Sequence, residues 1–281
     1  LVPGRSFCRF FPFVPVLNDE ASMNMALQTF MSPLVPRSLR QARAEHRFLD
    51  QHAFDGVYYG VFDDFEQARA YIAAHAHKPL YQLDHQQWLR EHRKLRPHDY
   101  PILFWLGQLL GAGKVDAQPP RVFDLGGSLG VAYHAYRPYL PFPKGLIWQV
   151  GEFGDAVQQG SRLAEEQGET ALRFTADLGA LDHADVLLAA GSLLYIESPL
   201  HTLLRAAAAP PPHLLINKLP LSNTHEFITL ENGGDAIYPC RVAKKADFLA
   251  QLSQLGYRLV DGWLCLEHNM TVALHPELSL R

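Results

Sequence analysis

The pattern of hydrophobic and polar positions changes character at a short polar, proline-ended stretch from Val115 to Pro120. Upstream of it the chain reads as helices. Charged residues dominate a helix-like stretch from Arg37 to about Ala53, and the blocks 64–77, 84–96 and 101–113 predict three more helices. Asp64 with Gln67, and Asp84 with Gln87, each place an N-cap carboxylate three residues before a side chain that can reach back, which marks a helix start. Pro97 and Pro101 separate the last two helices, because proline cannot continue the hydrogen-bond ladder. Between these blocks lies an aromatic segment, Phe54 to Phe62, punctuated by Gly56 and Gly60. It predicts a strand or turn that packs the extension on a core; the competing reading makes Tyr58 and Tyr59 the lining of a pocket under a lid.

Downstream, short apolar runs alternate with helical periodicity. Strands are predicted at Arg121 to Asp124, Leu146 to Val150, Ala171 to Thr175, Asp185 to Ala189 and Leu214 to Asn217. Helices are predicted after the first strand through about Tyr136, over 154–167 with Gly168 as the C-cap, and from His201 to Ala208. This spacing is that of βαβ units, hence an α/β fold with a mostly parallel, Rossmann-like sheet covered by helices on both faces. The tail predicts one helix, Ala246 to Leu255, then an antiparallel hairpin of Tyr257 to Leu264 with Met270 to His275. The expected organisation is a loosely structured leader or vector-derived remnant over 1–30, an N-terminal helical extension and possible lid over 31–115, and a catalytic-type domain over 116–281.

Composition narrows the function classes. The chain has 281 residues, 25 Lys+Arg against 29 Asp+Glu, a net charge of −4 and 48% hydrophobic residues, enough for a sizeable core. A nucleic-acid binder needs a basic surface to neutralise phosphates, so none is expected. No apolar run approaches the roughly 18 residues of a membrane span, and a cytoplasmic location is expected. The 3 cysteines, Cys8, Cys240 and Cys265, are odd in number and far apart, which predicts neither a disulfide framework nor a cysteine-based zinc site. His75, His77 and His85 match no familiar ligand spacing, and no metal is expected. The basic run Arg90, Arg93, Lys94 and Arg96 reads as a solvated helix face.

The chemistry concentrates in Asp124-Leu125-Gly126-Gly127-Ser128-Leu129-Gly130, directly after the first of the regular strands. Glycines at such a strand-to-helix turn let a ligand approach the backbone closely. The dinucleotide fingerprint G-x-G-x-x-G fails in both registers, meeting Ser128 and Val131 from Gly126, or Leu129 and Ala132 from Gly127. An acidic-x-G-x-small-x-G pattern fits instead, as Asp124, Gly126, Ser128 and Gly130. Glu152 follows the next strand, where a carboxylate can accept from both hydroxyls of a ribose. Asp177 follows the third, where it can meet an adenine amino group.

Together these motifs resemble a bacterial family of S-adenosylmethionine (SAM)-dependent methyltransferases of class I fold and unassigned substrate. The resemblance runs from about residue 54 to 265. It is carried by Phe54-Asp55-Gly56-Val57-Tyr58, by Phe65-Glu66-Gln67-Ala68 and by the turn Phe123 to Gly130. Further on it is carried by Ala189-Ala190-Gly191-Ser192-Leu193-Leu194-Tyr195, by Leu214 to Leu221 and by Tyr238-Pro239. It implies SAM as cofactor, held by Asp124, Gly126, Gly127, Ser128, Gly130, Glu152, Asp177 and Gly191, with Ser128 where the family motif has its middle glycine. It implies a small-molecule or glycan-intermediate acceptor, and the terminal hairpin suits the same fold. Loops after the last two strands of the sheet hold Ser192, Tyr195, His201, Lys218, Asn223, His225 and Glu226. His225 is the candidate general base, since imidazole titrates near neutral pH, and Tyr195 the candidate for orienting the acceptor. The rival reading is a SAM-fold binding or assembly partner of a biosynthetic enzyme that no longer transfers methyl groups.

Overall fold

The computed structural model describes residues 36–50, 57–76, 78–80, 83–111, 118–234 and 236–280. The expected leader over 1–30 and the motif residues Phe54 to Gly56 lie outside them. The chain divides into a short unit, Leu1–Arg43, and a large one, Ala44–Arg281. The described part of the short unit belongs to the start of helix α1 (Arg37–Leu49). The large unit carries two sheets.

The first sheet consists of β2 (Arg121–Leu125), β3 (Ile147–Gly151), β4 (Leu172–Thr175), β5 (Val186–Ala190) and β6 (His213–Asn217), in the order β4-β3-β2-β5-β6. Every pairing is parallel. A parallel sheet is covered on both faces, so its central strands must be apolar on both. Val186, Leu187, Leu188 and Ala189 are all at most 1% exposed, as that requires. One face buries Val122, Trp148 and Val150 against Ile102 and Leu106 of α4 (Tyr100–Gly111) and Tyr133 and Tyr136 of α5 (Val131–Tyr136). The other buries Phe123, Leu125 and Leu187 against Leu200 and Leu204 of α7 (Leu200–Ala206) and Leu252 of α8 (Lys245–Gln254). Each such side chain removed from water contributes roughly 1.5–3 kcal/mol. The α/β, Rossmann-like reading is borne out, and α6 (Ala156–Glu166) follows β3 as expected.

The capping carboxylates also act as read. Asp64 Oδ1 accepts from Gln67 N–H at 2.8 Å to open α2 (Phe65–His75), and Asp84 Oδ1 from Gln87 N–H at 2.9 Å to open α3 (His85–His92).

The second sheet was not foreseen. It runs β10-β1-β8-β9-β7, from β1 (Val57–Phe62), β7 (Leu221–Ser222), β8 (Phe227–Asn232), β9 (Ile237–Lys244) and β10 (Thr271–Val272). The extension expected as helical therefore supplies an inner strand. β1 pairs antiparallel with β8 and parallel with β10, and its register shifts between Tyr59 and Phe62. Gly60 sits in that bulge at φ +78°, and a Cβ there would meet the Phe62 ring at 2.5 Å. The described part of the aromatic segment, Val57–Phe62, is thus a strand whose Tyr59 packs in a core and whose Tyr58 also lines the cavity, and Thr229 Oγ1 donates to the Gly60 carbonyl at 2.8 Å across it.

The terminal hairpin needs correction. Residues 257–264 form no strand, and Leu259, Val260 and Leu264 are 66–80% exposed, so no buried face holds them in a ladder. Of the second predicted strand, Thr271–Val272 pairs with β1 and Met270 makes an isolated antiparallel bridge to Leu280. Among the described residues the parallel sheet carries no antiparallel strand. The antiparallel hairpin is β8 with β9, in the other sheet, and Pro239 lies mid-strand opposite Leu230. A proline inside a run argues against a strand, which hid this one.

Candidate functional site

The chain runs outward from β2 to β3 and β4, then returns to place β5 beside β2. Ligands of open α/β sheets bind in the crevice beyond the carboxyl ends at such a reversal. Here the crevice is formed by the glycine turn after β2 and by Gly191-Ser192 after β5.

The turn is built by close approach within the chain itself. Gly126 has φ +68°, its N–H donates to the Gly151 carbonyl at 2.8 Å, and a Cβ on it would lie 2.4 Å from Ser192 Cβ. Ser192 Oγ in turn donates to the Leu125 carbonyl. A Cβ on Gly127 would lie 2.5 Å from Asp124 Oδ2. Gly130 has φ +79° and leads into α5. Ser128 holds the left-handed conformation at φ +52°, which costs a side-chain-bearing residue about 1–2 kcal/mol. Two contacts fix it there: Ser128 N–H donates to Glu152 Oε1 at 2.9 Å, and Ser128 Oγ lies 2.8 Å from His85 Nδ1. Neither contact was legible in the sequence, because His85 arrives from the extension.

Asp124 lies beneath the turn, 1% exposed, and accepts from Trp148 Nε1 at 3.1 Å. Burial pushes its carboxyl up to about 7, and the Trp148 hydrogen bond pulls against that shift. Glu152 stands at the end of β3, half-buried, its Oε2 accepting from Phe153 N–H at 2.9 Å. A carboxylate has about four acceptor sites, so this one retains capacity toward the cleft. Asp177 is not brought to the cleft: it is exposed and caps a 3₁₀ turn through Gly179 N–H at 2.8 Å. Gly191, at φ +95°, is overlain by Lys218; a Cβ there would meet Lys218 Cε at 2.7 Å.

The acceptor side differs from the sequence reading. Tyr195 ends a 3₁₀ turn after β5, and its hydroxyl donates to Glu231 Oε2 at 2.6 Å. Tyr58 of β1 donates to Glu231 Oε1 at 3.1 Å. Burial and the Glu231 charge hold the Tyr195 phenol well above its ordinary range, so it remains a neutral donor. Burial also raises the Glu231 carboxyl, against the two phenol hydrogen bonds that lower it. Glu231 had no local signal; it faces the cleft because β8 pairs with β1. His225 is exposed in the segment before β8, its ring 5.6 Å from Phe227, and it does not line the cavity.

Asp124, Gly126, Gly127, Ser128, Glu152, Gly191, Tyr195 and Glu231 line one cavity of about 2200 Å³. A single drug-sized ligand occupies about 300–1,000 Å³, so there is room for two. Among the described residues, no helix is long and apolar enough to cross a membrane.

No family model matches the chain, and no curated protein does. Solved structures do. DesVI of Streptomyces venezuelae shares 11% identity over 64% of this chain and 93% of its own, with a TM-score of 0.41. CalS10 of Micromonospora echinaspora, an amino pentose methyltransferase with SAM bound, shares 16% over 67% and 95%, at 0.39. A SAM-dependent methyltransferase of Thiobacillus denitrificans, in complex with S-adenosylhomocysteine, shares 20% over 61% and 69%, at 0.35. Likeness this distant leaves the site to be read from its own residues.

Proposed function

We propose that the chain is a SAM-dependent methyltransferase acting on a small-molecule or glycan-type acceptor. The observation that carries this reading is the glycine turn of Gly126 to Gly130 at the sheet's reversal point, with the Glu152 carboxylate hydrogen-bonded to its Ser128 amide. When bound, SAM supplies an activated methyl group together with its leaving group. The residues present fit it: Glu152 keeps acceptor capacity for the two ribose hydroxyls, and Gly126, Gly127 and Gly191 border the same cleft. Asp124 acts from beneath, shaping the turn. Asp177 is left as a cap.

On the acceptor side, Tyr195 orients the incoming hydroxyl or amine and Glu231 takes its proton. The carboxylate is buried, and burial raises it above its ordinary range, which strengthens it as a base. In-line alignment of the two substrates can supply much of the rate. The mild net charge of −4 favours an acceptor without a phosphate backbone.

Calorimetric titration with S-adenosylhomocysteine and with NAD(H) tests the cofactor assignment. Saturable binding of the former alone is expected; binding of NAD(H) alone would overturn the reading of the turn.

A further inference from the structure

The segment 257–269 has no strand or helix, yet most of it lines the cavity, and Trp263 Nε1 donates to Asn217 Oδ1 at the carboxyl end of β6 at 3.2 Å. Within it, His268 N–H donates to the Cys265 carbonyl at 3.3 Å. That turn brings a thiol and an imidazole three residues apart to one side. They meet His98, which comes from a 3₁₀ turn, Pro97–Asp99, ahead of α4. The His98 backbone is pinned, since Asn217 Nδ2 at the end of β6 donates to its carbonyl at 2.8 Å and Tyr136 holds the neighbouring Asp99 at 3.0 Å.

The His98 side chain is only 3% exposed, and its Nδ1 has no hydrogen-bond partner. A buried unsatisfied nitrogen costs about 1–3 kcal/mol, so one held in place calls for a partner. Ligand atoms of His98, Cys265 and His268 lie within 4.8 Å of one another, the one such group of three among the described residues. Glu267 Oε2 lies 3.6 Å from His98 Nδ1 and 3.7 Å from Cys265 Sγ.

We propose that His98, Cys265 and His268, with Glu267 as fourth ligand, hold a divalent transition-metal cation of the zinc class. One thiolate, two imidazoles and a carboxylate form a tetrahedral set that suits zinc rather than magnesium or calcium, which take oxygen ligands. Tetrahedral zinc holds such atoms about 3.3–3.6 Å apart. Contraction by up to about 1.5 Å falls on the segment carrying Cys265 and His268, which no ladder restrains. The site stands independently of methyl transfer.

Cobalt(II) titration of the chelator-treated full chain tests this. One equivalent is expected, with a near-ultraviolet thiolate-to-cobalt band, intense visible bands of tetrahedral geometry, and bleaching of both by zinc. Cys265→Ser should abolish the near-ultraviolet band, and His268→Ala should weaken cobalt binding more than about tenfold. Both replace residues of the irregular segment, and their far-ultraviolet circular dichroism should match the parent. His183→Ala, on an exposed turn elsewhere, should bind as the parent does. A parent chain without the thiolate band, or a band that survives Cys265→Ser and so belongs to Cys8 or Cys240, would overturn the proposal. Cobalt affinity unchanged by Glu267→Gln would overturn Glu267 as the fourth ligand.

Discussion

Each of the two sheets lends the cavity a buried carboxylate, and the two are held differently. Asp124, on the parallel sheet, accepts one side-chain hydrogen bond, from Trp148, and its carboxyl is raised to about 7. Glu231, on the mixed sheet, accepts from two phenols, Tyr58 and Tyr195. The first is enclosed by its own sheet and shapes the turn above it. The second joins β8 and β1 to the turn after β5, and so ties the sheets together at the place where an acceptor would sit. Both line the same cavity; they differ in what holds them, one indole donor against two phenols.

The largest expected effect separates these roles through pH. The folded chain favours neutral Asp124, so this group's contribution to stability is complete below about pH 4 and is lost as pH rises toward 7. The shift from 3.8 to about 7 corresponds to about 4 kcal/mol in all. Asp124→Asn should remove that slope: thermal unfolding midpoints of variant and parent should nearly coincide at pH 4 and diverge in the variant's favour by pH 8. Equal midpoints at both pH values would mean that Asp124 is not desolvated.

The next effect addresses the other carboxylate. Glu231→Gln should lower methyl transfer from labelled SAM into a small-molecule acceptor pool about a hundredfold, while S-adenosylhomocysteine affinity changes by less than about twofold. Parallel losses of binding and transfer would erase the distinction between the two walls. The smallest effect concerns the mixed sheet alone. Thr229→Val removes the hydrogen bond to the Gly60 carbonyl and should cost about 1 kcal/mol in urea unfolding, with S-adenosylhomocysteine binding intact.

The same division governs what the sequence reveals. Each βαβ unit of the parallel sheet is contiguous, so apolar runs, caps and glycines disclosed β2 through β6 within a residue or two. The mixed sheet pairs Tyr58 with Glu231, 173 residues away, and no local period records such a partner. The site follows suit. Gly126, Ser128 and Glu152 were legible because turn chemistry is local. Glu231 and the His85 contact to Ser128 were not, because they depend on how the extension folds back. His225 drew attention by its residue type alone. Cys265 and His268 gave no metal signal, since their proposed third partner, His98, lies far upstream in the chain.

The position of β1 has a consequence for the life of the chain before it is complete. Its hydrogen-bonding partner β8 begins at Phe227, 165 residues after Phe62 where β1 ends. At translation rates of about 5–20 residues per second, β1 waits roughly ten to thirty seconds for that partner. Throughout that interval Tyr58 and Tyr59 belong to an unpaired strand, while the five strands of the parallel sheet emerge one after another and its covering helix α8 is still to come. The nascent chain therefore carries an adhesive edge ahead of its parallel sheet. A chaperone or a neighbouring chain would meet that edge first.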